Sequence, residues 1–333
     1  MKTLIAITNP ELRELLRLEE TIKKLSQFSE VELADASLPF TSEALASVIG
    51  EFDACLTSWG SPLFTPEVLA EARKLKFIGH AAGSVAAVVN EDAFDAGITV
   101  TSANKPLALS TAEGAFTLIL AGAWELAKRS AGLKQGRWSN NNGESVMGVT
   151  GRVVGLVGYG EISRHVIRML KPLNTTILLH SGYCPPEEAA AQGVQLCSLN
   201  ELFRQSDIVS LHSTLTPATQ GMIGREQLSL LRDHALLVNT ARGPIVQEEA
   251  LLAELRSGRI SAALDVYDKE PLPADHELLT LPNALCLPHI AGFHGLLKRS
   301  LLDYIVDELY RYANGEELQG KVSREHYGRL TRK

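Results

Sequence analysis

Apolar and polar positions alternate along this chain in blocks. Thr3 to Thr8 opens with a short apolar run that reads as a buried strand. Ala54-Cys55-Leu56-Thr57 and Phe77-Ile78-Gly79-His80 are the next strand candidates, with helix-like sequence between them. Strands alternating with helical stretches predict βαβ units around a parallel sheet. Up to about residue 102 the chain reads as one such unit. Ala/Leu-rich sequence opened by Thr111-Ala112-Glu113-Gly114 then predicts a long helix from Ser110 to about Gly132. Gln135 to Gly148 is polar and rich in glycine and asparagine, and reads as an excursion. A second α/β series begins at Arg152. Its strand candidates are Val153 to Val157, Ile177 to His180, Ile208 to Leu211, Ala235 to Asn239, Ala262 to Leu264 and Ala284 to Leu287. A last helix is predicted from about Leu296 to Tyr312. The fold class this implies is α/β with a doubly wound parallel sheet.

Composition narrows the partners. The 333 residues suit two ordinary domains with a sizeable core. The net charge is −7 and no long run of Lys or Arg appears, which argues against nucleic acid or an anionic membrane surface as partner. The basic end from Arg329 to Lys333 reads as a solvated tail. Cys55, Cys184, Cys197 and Cys286 form no C-x-x-C pair, so neither a zinc site nor a disulfide framework is expected. Free thiols point to a reducing compartment. The first apolar run is too short for a signal peptide or a membrane span, so the expected location is the cytoplasm.

The first chemical signal is a glycine-rich turn. Gly158-Tyr159-Gly160-Glu161-Ile162-Ser163 follows a predicted strand and precedes a helix. Gly158-x-Gly160-x-x-Ser163 is the dinucleotide fingerprint with serine for the last glycine. The first glycine permits a tight turn and the second lets backbone approach a pyrophosphate favoured by the helix N-terminus. Serine fits the third, small-residue position less comfortably.

Three later segments add specificity: Val238-Asn239-Thr240-Ala241-Arg242-Gly243, Ala263-Leu264-Asp265-Val266-Tyr267-Asp268-Lys269-Glu270-Pro271-Leu272, and Leu287-Pro288-His289-Ile290-Ala291-Gly292. In this order they resemble the D-isomer-specific 2-hydroxyacid dehydrogenases. Leu211-His212-Ser213-Thr214-Leu215-Thr216-Pro217-Ala218-Thr219, Thr111-Ala112-Glu113 and His80-Ala81-Ala82-Gly83-Ser84 share the likeness. It covers nearly the whole chain.

The resemblance implies a flavodoxin-like substrate domain, residues 1–102 plus 293–333, with a Rossmann-type NAD(P)-binding domain inserted at 103–292. It also implies a cleft that closes on the substrate and a homodimer through the cofactor domains. Departures from the family pattern are Ser163, Thr214 where proline is usual, Gln247 where aspartate is common, and His294 where threonine is frequent. They touch fine cofactor geometry, not the class.

Reducing a 2-keto acid requires an oriented carboxylate, a polarised ketone and a proton delivered as the hydride arrives. Arg242 suits the first two tasks, because its planar fork binds a carboxylate in two places and leans on the keto oxygen. His289 suits the proton, since imidazole exchanges protons near neutral pH. By resemblance Glu270 pairs with His289 and fixes its tautomer. By resemblance, backbone N–H groups at Ala82, Gly83 and Ser84 receive the substrate carboxylate, an approach that small residues permit, with Gly60 across the cleft. Trp59 is read first as a packing aromatic. Cofactor contacts implied by the resemblance fall in five places. They are Thr111; Gly158 to Ile162; Ser181; His212, Ser213, Thr214 and Thr219; and Thr240, Ala241, Arg242, Asp265, His289, Ala291 and Gly292. No metal is expected. His80, His180, His212, His276 and His294 are read as playing no part in proton transfer.

The expected function is therefore hydride transfer between NAD(P)(H) and carbon 2 of a small 2-hydroxy or 2-keto acid. The alternatives are a phosphite-type dehydrogenase of the same superfamily and a non-catalytic, dinucleotide-sensing corepressor-like protein. Glu270 argues against formate, whose dehydrogenases pair the histidine with glutamine. Glyoxylate, hydroxypyruvate, pyruvate and bulkier keto acids stay open. A phosphorylated acid is less expected, because no basic cluster is evident near residues 58–62 or 80–84. NAD is the expected cofactor, with NADP also accepted: His180-Ser181-Gly182-Tyr183 supplies neither the acid that grips a ribose 2′-hydroxyl nor an arginine for a 2′-phosphate.

Overall fold

The computed structural model describes residues 1–37, 39–138, 146–292 and 294–330. The chain forms two compact units, Met1–Ala108 with Phe293–Lys333 and Leu109–Gly292.

The first unit holds a parallel sheet of β1 (Lys2–Ile5), β2 (Glu30–Leu33), β3 (Ala54–Thr57), β4 (Phe77–His80) and β5 (Thr99–Ser102), in the order β2-β1-β3-β4-β5. This is the flavodoxin-like order. β3 and β4 are buried along their length and form the sheet's interior. The helix Leu301–Ala313 buries Leu301, Leu302, Ile305, Val306 and Leu309 in one core with Ile5, Leu56 and Phe77. Gly79 lets that helix in: a Cβ there would stand 2.4 Å from the Ile305 side chain.

The second unit holds seven parallel strands: β6 (Val153–Val157), β7 (Thr176–His180), β8 (Gln195–Leu196), β9 (Ile208–Leu211), β10 (Leu236–Asn239), β11 (Ser261–Leu264) and β12 (Ala284–Cys286). Their order, β12-β11-β10-β9-β6-β7-β8, reverses between β9 and β6. Ligands of doubly wound folds bind outside the strand ends at such a switch point.

Two predicted helices are each broken in two. The first runs as Asn104–Ala123 and Leu126–Lys134, with Glu125 in the left-handed region between them. The last runs as Gly295–Arg299 and Leu301–Ala313, parted at Ser300. Asn104–Ala123 is long and apolar enough to cross a membrane by length and composition, but Ala112, Ala115, Leu118, Ile119 and Ala123 pack into the core of the second unit. The central part of the predicted excursion, residues 139–145, and the tail end 331–333 lie outside the described residues.

Candidate active site

The glycine turn forms where β6 ends. Gly158 has φ +99°, and a Cβ there would meet the Ser213 nitrogen at 2.7 Å and the His212 carbonyl carbon at 2.8 Å. Any other residue would be both strained and blocked. Gly160 stands before the helix Glu161–Leu170, and the place its Cβ would take is open. That opening leaves the unpaired first-turn amides approachable. Ser163 is fully buried and donates from Oγ to the Gly158 carbonyl at 2.7 Å. The serine thus fits the third position and ties the turn closed. The Gly158 N–H donates to the His180 carbonyl at 2.9 Å, which fastens the turn to the end of β7.

The expected cofactor residues around this turn divide by whether their polar atoms are used. Ser213 Oγ donates to the Val157 carbonyl at 3.2 Å, and Thr219 Oγ1 donates to the Thr214 carbonyl at 2.6 Å. Ser181 Oγ accepts from the Tyr183 N–H at 3.1 Å. Thr240 Oγ1 and both ring nitrogens of His212 are buried and have no hydrogen-bond partner among the described residues. Burial pushes the His212 pKa down to about 4, so the ring is neutral at physiological pH.

Arg242, Glu270 and His289 come from the loops that follow β10, β11 and β12. Asn239 shapes the first loop: its Oδ1 accepts from the Ala241 N–H and its Nδ2 donates to the Arg242 carbonyl, both at 3.0 Å. Arg242 Nη1 donates to the Ala241 carbonyl at 2.6 Å. Burial lowers the Arg242 pKa, and the nearby Glu270 carboxylate opposes that shift. Gly243 brings the first two loops into contact, because a Cβ there would lie 1.9 Å from the Tyr267 carbonyl carbon. Glu270 Oε1 accepts from the Tyr267 N–H at 3.0 Å, and its Oε2 bonds His289 Nδ1 at 2.7 Å. The Tyr267 hydroxyl donates to the Leu287 carbonyl at 2.8 Å, two residues before His289.

His289 adopts the left-handed region at φ +55°. That conformation costs free energy for a residue with a Cβ and needs support from its surroundings. Asp265, 1% exposed, supplies it: Oδ1 accepts from the Ile290 N–H at 2.7 Å and Oδ2 from the Ala291 N–H at 2.8 Å. The resemblance puts Asp265 on the cofactor side, yet both its oxygens serve the backbone beside His289. Ala291 in turn lies under Gly114, where a Cβ would meet the Ala291 Cα at 2.6 Å. Sequence reasoning missed Asn239, Gly243, Gly114 and the hydroxyl of Tyr267. Asn239, Gly243 and Tyr267 lie inside the quoted motifs, so proximity to Arg242 and Glu270 was the available signal.

The expected substrate residues lie in the first unit. Gly60 has φ +77° and follows β3; Ala82, Gly83 and Ser84 follow β4. Ser58 Oγ donates to the Ala81 carbonyl at 3.0 Å and joins the two loops. Lys298, 7% exposed, stands 4.9 Å from the centroid of the Trp59 ring. A cation therefore does lie against residues 58–62, brought from the far end of the chain, where local sequence shows none. Among the described residues no cluster of His, Cys, Asp or Glu could hold a metal ion.

A family model described as D-isomer specific 2-hydroxyacid dehydrogenase, NAD binding domain, matches residues 116–291. The chain belongs to this family. As a member of it, the chain is 34% identical over 307 residues to D-3-phosphoglycerate dehydrogenase of Methanocaldococcus jannaschii, covering 92% of this chain and 57% of that one. It is thus similar to little more than half of that relative's length. It is 30% identical over 311 residues to glyoxylate reductase of Korarchaeum cryptofilum, covering 92% of this chain and 93% of that protein. Among solved structures, D-lactate dehydrogenase with NAD+ from Lactobacillus jensenii is similar with a TM-score of 0.78 and 25% identity, over 97% of this chain and 100% of that chain.

The residues present fit NAD, the cofactor of the matched domain. Gly158 makes a tight turn that a Cβ would block, Gly160 leaves open space where a Cβ would stand, a ten-residue helix begins beside them, and Thr240 and His212 offer buried polar atoms without partners among the described residues.

Proposed function

We propose that this chain is an NAD-dependent dehydrogenase acting at carbon 2 of small 2-hydroxy or 2-keto acids, with Arg242, Glu270 and His289 as its catalytic set. The observation that carries this reading is the His289–Glu270 hydrogen bond of 2.7 Å, built from loops that also present Arg242. Bound NADH supplies the hydride, and NAD+ receives it in the reverse direction. Arg242 binds the substrate carboxylate and polarises the keto oxygen. Glu270 holds Nδ1 of His289, which fixes the ring's orientation and tautomer. Nε2 of His289 makes no hydrogen bond among the described residues, and it gives the keto oxygen a proton as carbon 2 gains the hydride. In oxidation the same nitrogen takes the hydroxyl proton.

The same reading makes the second unit the cofactor domain and assigns substrate binding in the first to Gly60, Ala82, Gly83 and Ser84. Lys298 beside Trp59 adds a reason to include a phosphorylated keto acid among candidate substrates. A homodimer through the second unit accords with the exposed Trp124, Leu126 and Leu133. A reducing cytoplasm accords with the four free cysteines.

The test is NADH oxidation with glyoxylate, hydroxypyruvate, pyruvate and 3-phosphohydroxypyruvate, for wild type and for Arg242→Ala and Arg242→Lys. We expect turnover with at least one acid. Arg242→Ala should lose about 2–5 kcal/mol in kcat/KM, the range for breaking a buried charge pair. Lysine should rescue only part, because its point charge cannot form the fork. No turnover with any acid, or full activity in the lysine variant, would count against the reading.

A further inference from the structure

The end of β7 carries no acid, yet the structure brings one there from elsewhere. Glu188 lies on the helix Pro186–Ala191, and its Oε1 accepts from the Tyr159 hydroxyl at 2.8 Å. Tyr159 is the residue between the two glycines of the turn. Arg164, one residue past Ser163, reaches over the same ring. Its guanidinium carbon is 4.9 Å from the Tyr159 centroid, Nη2 is 2.8 Å from Glu188 Oε1, and Nη1 is 3.2 Å from Glu161 Oε1. Arg164 is thus committed to two carboxylates. Among the described residues Glu188 Oε2 accepts no hydrogen bond. Ser181, which carries no charge, accepts a hydrogen bond within its own turn from the Tyr183 N–H.

We propose that Glu188, held by Tyr159 and Arg164, sets cofactor choice: its free oxygen accepts the ribose 2′-hydroxyl, and its charge turns away a 2′-phosphate. The chain then takes NAD(H) over NADP(H), although the strand-end position that usually supplies the acid is a serine. Two carboxylates around one guanidinium leave the cluster one charge negative, so Arg164 is not available to draw a phosphate in. Partial burial keeps solvent from screening the group fully, since Glu188 and Arg164 expose 33% and 38% of their side chains.

This inference rests on the dinucleotide reading of the Gly158 turn. It is tested by calorimetric titration of the full chain with NADH and with NADPH, in the absence of any keto acid. Wild type should bind NADH about tenfold or more tightly than NADPH, and Glu188→Gln should bring the two within about threefold. Glu188→Lys should reverse the preference, a gain that a merely structural role would not give. Tyr159→Phe keeps the charge but frees the carboxylate, so it should weaken NADH severalfold and leave NADPH nearly unmoved. If NADH does not bind wild type at all, the dinucleotide reading falls and this one with it. If NADH binds and wild type prefers NADPH, this assignment alone falls. It falls likewise if the NADH-to-NADPH ratio stays within twofold of wild type in both Glu188 variants.

Discussion

His80 and His289 each follow or end a parallel strand, one in each unit, and their surroundings are opposite. His80 is the last residue of β4 and is 2% exposed. Its Nδ1 lies 3.0 Å from Thr57 Oγ1, its neighbour in the sheet register, and it bonds the Ser84 backbone. Burial drives its pKa from 6.5 down to about 4. The side chain of His289 is 48% exposed, one nitrogen is fixed by Glu270, and the backbone is bent into the left-handed region. One ring is an uncharged part of a core. The other is held at Nδ1 by Glu270, and its Nε2 makes no hydrogen bond among the described residues. A histidine serves proton transfer when both conditions hold, and burial by itself removes it from that role.

Replacing each histidine should separate the two roles. His289→Ala should lower the reduction rate about 10²–10⁴-fold, the usual worth of a positioned proton donor, with NADH affinity and melting midpoint nearly unchanged. A variant that kept near wild-type kcat in stopped-flow reduction would erase the contrast with His80.

His80 should show itself in stability instead. Its folded pKa lies below its unfolded value, so the unfolded chain takes up a proton first as pH falls. The stability it contributes is complete above about pH 6.5 and is lost as pH falls toward about 4. The full loss is about 3 kcal/mol for one such group. Urea unfolding at pH 7 and pH 5 should show this loss under way in wild type and reduced in His80→Asn. Equal slopes in the two proteins would remove His80 as the cause.

Asp265→Asn sharpens the His289 side of the comparison. The amide has one accepting oxygen where the carboxylate has two, so one backbone N–H near His289 loses its partner at a cost of about 1–3 kcal/mol. The expected sign is a fall in kcat larger than any change in NADH affinity. A loss confined to thermal stability would mean that Asp265 holds the loop without orienting the imidazole.

Most of the second unit was legible because its strands are buried on both faces. Val153–Val157 and Ile208–Leu211 stand where their apolar runs place them. β2 and β8 escaped notice because they are short edge strands with exposed, polar sequence, Glu-Val-Glu-Leu and Gln-Leu. β5, Thr-Val-Thr-Ser, lacks the long apolar run that marks a central strand. In the site, Arg242, Glu270 and His289 were named through motif resemblance, and the motifs do converge. The Asp265 clamp was not legible, because it joins residues 25 apart through the pairing of β11 with β12. The Glu188–Tyr159–Arg164 cluster was hidden because Glu188 comes from a helix 29 residues beyond Tyr159, past β7.

The discontinuity of the first unit has a consequence for biosynthesis. A ribosome finishes residues 109–292 while one face of the first sheet is still bare. Ile5, Leu56 and Phe77 gain the cover of Leu301, Ile305 and Leu309 only once the helix Leu301–Ala313 emerges. Nascent domains generally fold as they leave the tunnel, N-terminal first. Here the order inverts: the second unit can close before the first is complete. For the time needed to translate nearly two hundred residues at about 5–20 per second, roughly ten to forty seconds, an apolar sheet face waits uncovered. That interval is when a chaperone has most to do for this chain.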